Sequence, residues 1–130
     1  MARNSPQLTL QLLPHTLAVC RLAPDHPIPD WLAASEFYTV TRTDEELSVV
    51  CEQERVPVSV RSEPDWRALK VVGPLDFNLT GILSALAAPL AQAAISIFAV
   101  STFDTDYMLL KQSRLDDAVA ALRAAGHTVN

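Results

Sequence analysis

The stretch Leu83–Val100, LSALAAPLAQAAISIFAV, constrains the fold of this 130-residue chain more than any other. It has about the length of a bilayer span. Yet Pro89, Gln92 and Ser96 interrupt it, and its periodicity changes partway. The first part repeats like a helix and the last part reads as a strand. The expectation is a buried helix running into a buried strand, not a membrane span.

The surrounding segments extend this reading. Upstream, WRALKVVGPLD is rich in β-formers and stops at Gly73-Pro74. In the helix that follows, Leu79, Ile82, Leu83, Leu86 and Leu90 share helical spacing, with Asp76 or Asn78 available as caps. Gly81 is costly so early in a helix unless something approaches the backbone closely. Downstream, DYMLLKQ reads as a strand. SRLDDAVAALRAAG reads as a helix with the stripe Leu115, Ala118, Val119 and Leu122. Ser113 with Asp116 suggests a capping box, Gly126 stands at a C-cap, and HTVN makes a last short strand. The order is βαββαβ, the split pattern of ferredoxin-like α+β folds.

The first half echoes this order with weaker helices. QLTLQLL, TLAVCRL, EFYTVTR and LSVVCEQ read as strands, and PDWLAAS as a short helix. RVPVSVRSEPD, with Pro57 and Pro64, is the loosest part and suggests a boundary between residues 1–64 and 65–130. With six apolar strands in one small chain, the halves are expected to complete each other's sheet or core.

Composition narrows the function classes. A chain that is 49% hydrophobic has ample apolar surface to offset ordering entropy. Its net charge of −5 lacks the clustered Lys and Arg that phosphate binding needs, so no nucleic-acid partner is expected. Cys20 and Cys51 sit in apolar runs and read as buried, reduced thiols in a cytoplasmic protein. His15, His26 and His127 are scattered and CxxC is absent, so neither a metal nor a cofactor is expected. No Gly-rich phosphate loop or nucleophile motif points to an enzyme. In TRTDEE, the reading is a solvated turn with Arg42 paired to Asp44 or Glu45.

Three stretches carry a family resemblance: TRTDEELSVVC (Thr41–Cys51), GPLDFNLTGIL (Gly73–Leu83) and FAVSTFDTDYMLLK (Phe98–Lys111). Together they resemble bacterial tandem ACT-domain proteins of the CASTOR-like family, over nearly the whole chain. The resemblance implies two ACT-like βαββαβ units, the N-terminal one with degenerate helices. It also implies a regulatory module without catalysis, which pairs with another copy and binds an amino acid near an interface. The implied site is formed by Asp76, Phe77, Asn78, Leu79, Thr80 and Gly81, with Ser101, Thr102, Phe103, Asp104 and Asp106. Ser101, Thr102, Phe103 and Asp106 match the family's STF…D pattern, with Asp104 and Thr105 intervening. Leu79 falls where the resemblance implies an acidic contact to a guanidinium, a departure that weighs against arginine as the ligand.

Such a site is chemically sensible. Free amides at a helix start attract a carboxylate, and Asp104 or Asp106 can receive an α-ammonium. Thr102 supplies a hydroxyl and Phe103 an apolar wall. Read from the residues alone, the same turn is a solvated hairpin, since Asp and Thr suit turns. The alternative function is an ACT-fold interaction module, free of ligand, that associates with a protein partner.

Overall fold

The computed structural model describes residues 7–73 and 81–130. Its strands and helices, in chain order, are β1 (Thr9–Leu12), β2 (Leu17–Leu22), β3 (Tyr38–Arg42), β4 (Leu47–Glu52), β5 (Arg61–Val71), α1 (Ile82–Gln92), β6 (Phe98–Ser101), β7 (Asp106–Lys111), α2 (Leu115–Ala124) and β8 (Thr128–Val129). This is the expected α+β class. No described helix is long and apolar enough to cross a membrane. Pro89 lies inside α1, and the chain re-forms as strand β6 beyond it.

Two compact units divide these elements, each with its own core. The N-terminal unit holds His15–Trp66. Its strands run β3-β4-β2-β5, every neighbouring pair antiparallel. That is the ferredoxin-like order, with single 3-10 turns at Asp30–Leu32 and Gln53–Arg55 in place of helices. Alternate residues of β2 and β4 face inward: Ala18, Cys20, Leu47, Val49 and Cys51 bury against Leu32. Both thiols are free and buried. The Cys20 contact, and then burial, push the Cys51 thiol far above its ordinary range.

Residues 61–66 form the leading half of a strand, where the sequence suggested a loose boundary. A β-bulge reconciles Pro64 with that strand. The register of β2 against β5 shifts between Leu17 and Val19, which leaves an extra β5 residue beside Pro64. Proline has no N–H to donate, and at a bulge no ladder bond is lost. Asp65 takes a φ of +67°, and Gln53 holds it there. The Asp65 N–H donates to Gln53 Oε1 at 2.6 Å, and Gln53 Nε2 donates to Asp65 Oδ1 at 3.2 Å.

The C-terminal unit contains β5 from Arg67 onward, α1, β6, β7, α2 and β8. It also takes the chain up to Pro14. This differs from a division at residues 64 and 65 in one element, β1. The strand order is β6-β7-β5-β1-β8, so β1 lies between β5 and β8. It is antiparallel to β5 and parallel to β8. Leu86, Leu90, Ala118 and Leu122 bring both helices onto one sheet face, against Leu10, Leu69, Val71, Met108 and Leu110.

Both helices end in Schellman turns. At α1, Ala94 takes a φ of +59°, and Ile95 N–H donates to the Leu90 carbonyl at 2.9 Å. At α2 the left-handed position is the expected Gly126. The expected capping box at Ser113 does not form. Ser113 lies in a 3-10 turn, Gln112–Arg114, that runs into α2 without a side-chain cap. Arg114 instead reaches back to the end of α1, donating to the Ala93 and Ala94 carbonyls, each at 3.1 Å.

Pro89 leaves a gap in α1 that another residue fills. Without an N–H it cannot bond the carbonyl of Ala85, four residues earlier. His127, buried after α2, lies with Nε2 3.0 Å from that oxygen. Its Nδ1 accepts the Leu8 N–H at 3.1 Å, so the proton sits on Nε2 and donates to Ala85. One imidazole thus ties β8 to α1 and to the approach of β1. His127→Ala is expected to cost about 1–3 kcal/mol in denaturant unfolding. In a Pro89→Ala background, where residue 89 supplies the missing N–H, the cost should be smaller.

Candidate functional site

The turn joining β6 to β7 is built by two threonines of opposite character. β6 and β7 pair antiparallel from Phe98↔Leu109 to Ser101↔Asp106. Thr102 closes the turn on itself. Its N–H donates to the Thr105 carbonyl at 2.8 Å, as does its hydroxyl at 3.0 Å, and its Oγ1 accepts the Thr105 N–H at 3.3 Å. Thr105 is buried and donates its hydroxyl to the Val71 carbonyl at 2.6 Å. The turn is thereby pinned to the end of β5.

Ser101, Thr102, Phe103 and Asp104 are exposed and Asp106 is half-buried. Phe103 is 79% exposed, so it does not plug a pocket. Neither Asp104 nor Asp106 joins an ion pair among the described residues. Gly81 precedes α1 with a φ of +80°, a conformation that explains glycine there by itself. No side-chain cap is made at this helix start among the described residues. Asp76, Phe77, Asn78, Leu79 and Thr80 lie outside the described residues. Thr105, read from sequence as an intervening position, is the anchoring residue. Nothing in its neighbours marks it, because its partner is 34 residues away.

A second polar cluster lies in the N-terminal unit, where sequence gave His15 no partner. His15 Nε2 is 3.1 Å from Glu36 Oε1, and its Nδ1 is 4.0 Å from Glu52 Oε2. Glu52 is buried at the end of β4 and accepts the Glu36 N–H. Its own N–H donates to Ser35 Oγ at 3.0 Å. The bond from Glu36 holds the Glu52 carboxyl below its ordinary value, with His15, Arg55 and Ser35 adding to the effect against the opposing influence of burial. The ligand-type atoms of His15, Glu36 and Glu52 lie within 4.8 Å of one another, and these residues could hold a divalent cation. Arg42 does not pair with Asp44 or Glu45. It donates to the Pro24 carbonyl and to that of His26, the latter at 2.8 Å, while Thr43 Oγ1 caps the turn.

Comparison with known proteins agrees with this architecture. The ACT domain family model matches residues 61–124, and a model for an N-terminal domain matches residues 15–59. A solved structure from Agrobacterium tumefaciens is 38% identical, with a TM-score of 0.92 over 97% of this chain and 94% of that one. The chain belongs to the ACT-domain family.

Within that family it resembles CASTOR proteins. The human cytosolic arginine sensor for mTORC1, subunit 1, is 36% identical over 59 residues. Those residues are 45% of this chain and 18% of the sensor, so the chain matches under a fifth of that relative's length. The regulatory subunit of aspartate kinase from Thermus thermophilus shares the fold at 12% identity, with a TM-score of 0.62 over 86% of this chain and 93% of that one.

Two variants test the geometry of these clusters. Thr105→Val keeps the side-chain shape but leaves the Val71 carbonyl without its hydroxyl. Urea unfolding should show a loss of about 1–3 kcal/mol. Because the Glu52 value is lowered on folding, its contribution is present above the ordinary carboxylate value of about 4.3 and is lost as pH falls through the lower folded value. Urea midpoints between pH 6 and pH 3 should therefore fall less steeply with acid in Glu52→Gln than in the parent.

Proposed function

We propose that the chain is a non-catalytic regulatory module that binds an amino acid at the end of its C-terminal unit. Gly81, Ser101, Thr102, Phe103, Asp104 and Asp106 are the described residues assigned to that site. Asp76, Phe77, Asn78, Leu79 and Thr80 belong to it by family resemblance alone. The observation that carries the reading is the pinned turn. The Thr105 hydroxyl holds a polar hairpin against the exit of β5, with the carboxylates of Asp104 and Asp106 outside any ion pair among the described residues.

The names of related proteins support a regulatory role, since one is an arginine sensor and another a regulatory subunit. A carboxylate suits the start of α1, which has no side-chain cap among the described residues, and an ammonium suits Asp106. The chain pairs with a further copy of itself, and ligand favours one arrangement of ACT units by binding it more tightly. Output then passes to a partner protein or through self-association.

A second reading has its own observation. Phe103, Val72 and Leu83 are all exposed, at the hairpin turn, the exit of β5 and the first turn of α1. An ACT-fold interaction module would dock a partner through such apolar residues without ligand.

Thermal unfolding against each of the twenty amino acids, at millimolar concentration, separates the two. Ligand at about 100 times its dissociation constant adds about 2.7 kcal/mol, a midpoint rise of several degrees. That rise should be selective, largely removed by Asp106→Ala and untouched by Asp44→Ala. No rise with any amino acid would favour the interaction module, and Phe103→Ser should then weaken self-association or partner binding.

A further inference from the structure

A cleft of about 330 Å³ lies within the N-terminal unit, walled by Val19 and Arg21 of β2, Glu46 and Ser48 beside and on β4, and Arg61 and Glu63 of β5. Strand register sets its electrostatics. Arg21 stands directly opposite Arg61, and Val19 opposite Glu63. On the other side Arg21 faces Ser48. Like charges at directly opposed positions disfavour the sheet unless something of opposite charge lies between them.

The acidic residues of the same cleft, Glu46 and Glu63, lie outside ion-pair distance of both arginines. No ion pair joins Arg21, Arg61, Glu46 or Glu63 to one another or to any other described residue. One Arg21 nitrogen, Nη2, donates to the Glu45 carbonyl at 3.0 Å, which fixes that guanidinium at the cleft. Two guanidiniums and two carboxylates therefore line one cleft without pairing directly, with Arg21, Arg61 and Glu63 open to solvent.

That set of groups selects a class of ligand. A bare anion would gain both arginines but meet two carboxylates. A bare cation meets the reverse. A zwitterion satisfies both signs at once, through planar charge-assisted hydrogen bonds from arginine to its carboxylate. The volume lies at the lower end of the usual range for ligand pockets, enough for one amino acid or a dipeptide.

We propose that this cleft is a binding site for a small zwitterion of the α-amino-acid class. Its carboxylate sits between Arg21 and Arg61, and its ammonium at Glu46 or Glu63. The cleft uses none of residues 73–81 or 101–106, so it stands or falls separately from the hairpin site.

Amide NMR of the full chain tests it with three probes: a mixture of neutral L-amino acids, propionate alone and propylammonium alone, all millimolar. The amides of residues 19–21, 46–48 and 61–63 should shift saturably with the amino acids and not with either single-charge probe. Arg61→Gln should weaken that binding about tenfold or more. Asp106→Ala and the exposed control Glu54→Gln should leave it unchanged. Three results would overturn the proposal: no saturable shift at these amides, an equal response to propionate alone, or full retention in Arg61→Gln. A thermal rise reduced in Asp106→Ala, with these amide shifts intact, would separate the two sites.

Discussion

Backbone hydrogen bonds from residues 8–13 run to β5 on one side and to residues 128–130 on the other. The Thr128 N–H donates to the Leu8 carbonyl, the Asn130 N–H to that of Leu10, and the Leu12 N–H to that of Asn130, each at 2.9 Å. β8 has two residues, too few to hold its place by side-chain packing alone. Without β1, neither β8 nor the facing edge of β5 would find these partners, and their N–H and C=O groups would go unpaired. The core of the C-terminal unit likewise includes Leu10. His127 reinforces the same junction by bonding Leu8 and the Ala85 carbonyl that Pro89 leaves open.

The two units meet the same constraint differently. In the C-terminal unit two helices cover the core. In the N-terminal unit single 3-10 turns stand where helices would be, and Leu32 with Trp31, Val56 and Val60 fills the space over β2 and β4. That thin cover coincides with a unit rich in polar contacts, including the Gln53–Asp65 pair at the bulge and the His15, Glu36 and Glu52 cluster. Both sites argued for above rest on a shared physical principle. In each, backbone geometry holds charged groups that form no ion pair among the described residues, and a ligand of matching charge is the complement proposed for them.

Much of the fold was legible along the chain because its signals are local. The apolar spacing of Ile82, Leu86 and Leu90, the stripe of α2, Gly126 and the β6–β7 hairpin all depend on residues within a few positions of one another. The candidate site was legible only as a short polar stretch. Whether Thr102 or Thr105 mattered could not be read there, since one bonds its own turn and the other a carbonyl 34 residues away. Arg114 misleads for the same reason: its neighbours suggest a capping box, while its guanidinium serves the end of a different helix.

The sequence by itself determined the α+β class, the βαββαβ order, the burial of both cysteines and the place of the polar hairpin. Periodicity, turn chemistry and composition are properties of neighbouring residues, and they survive without knowledge of the rest. Tertiary structure alone decided that β1 joins the C-terminal sheet, that Pro64 sits in a bulged strand and that His127 completes the helix Pro89 interrupts. It also decided that Arg21 faces Arg61. Each of these depends on hydrogen bonds or register between segments far apart in sequence, and pairing of that kind is fixed only when the chain has closed on itself.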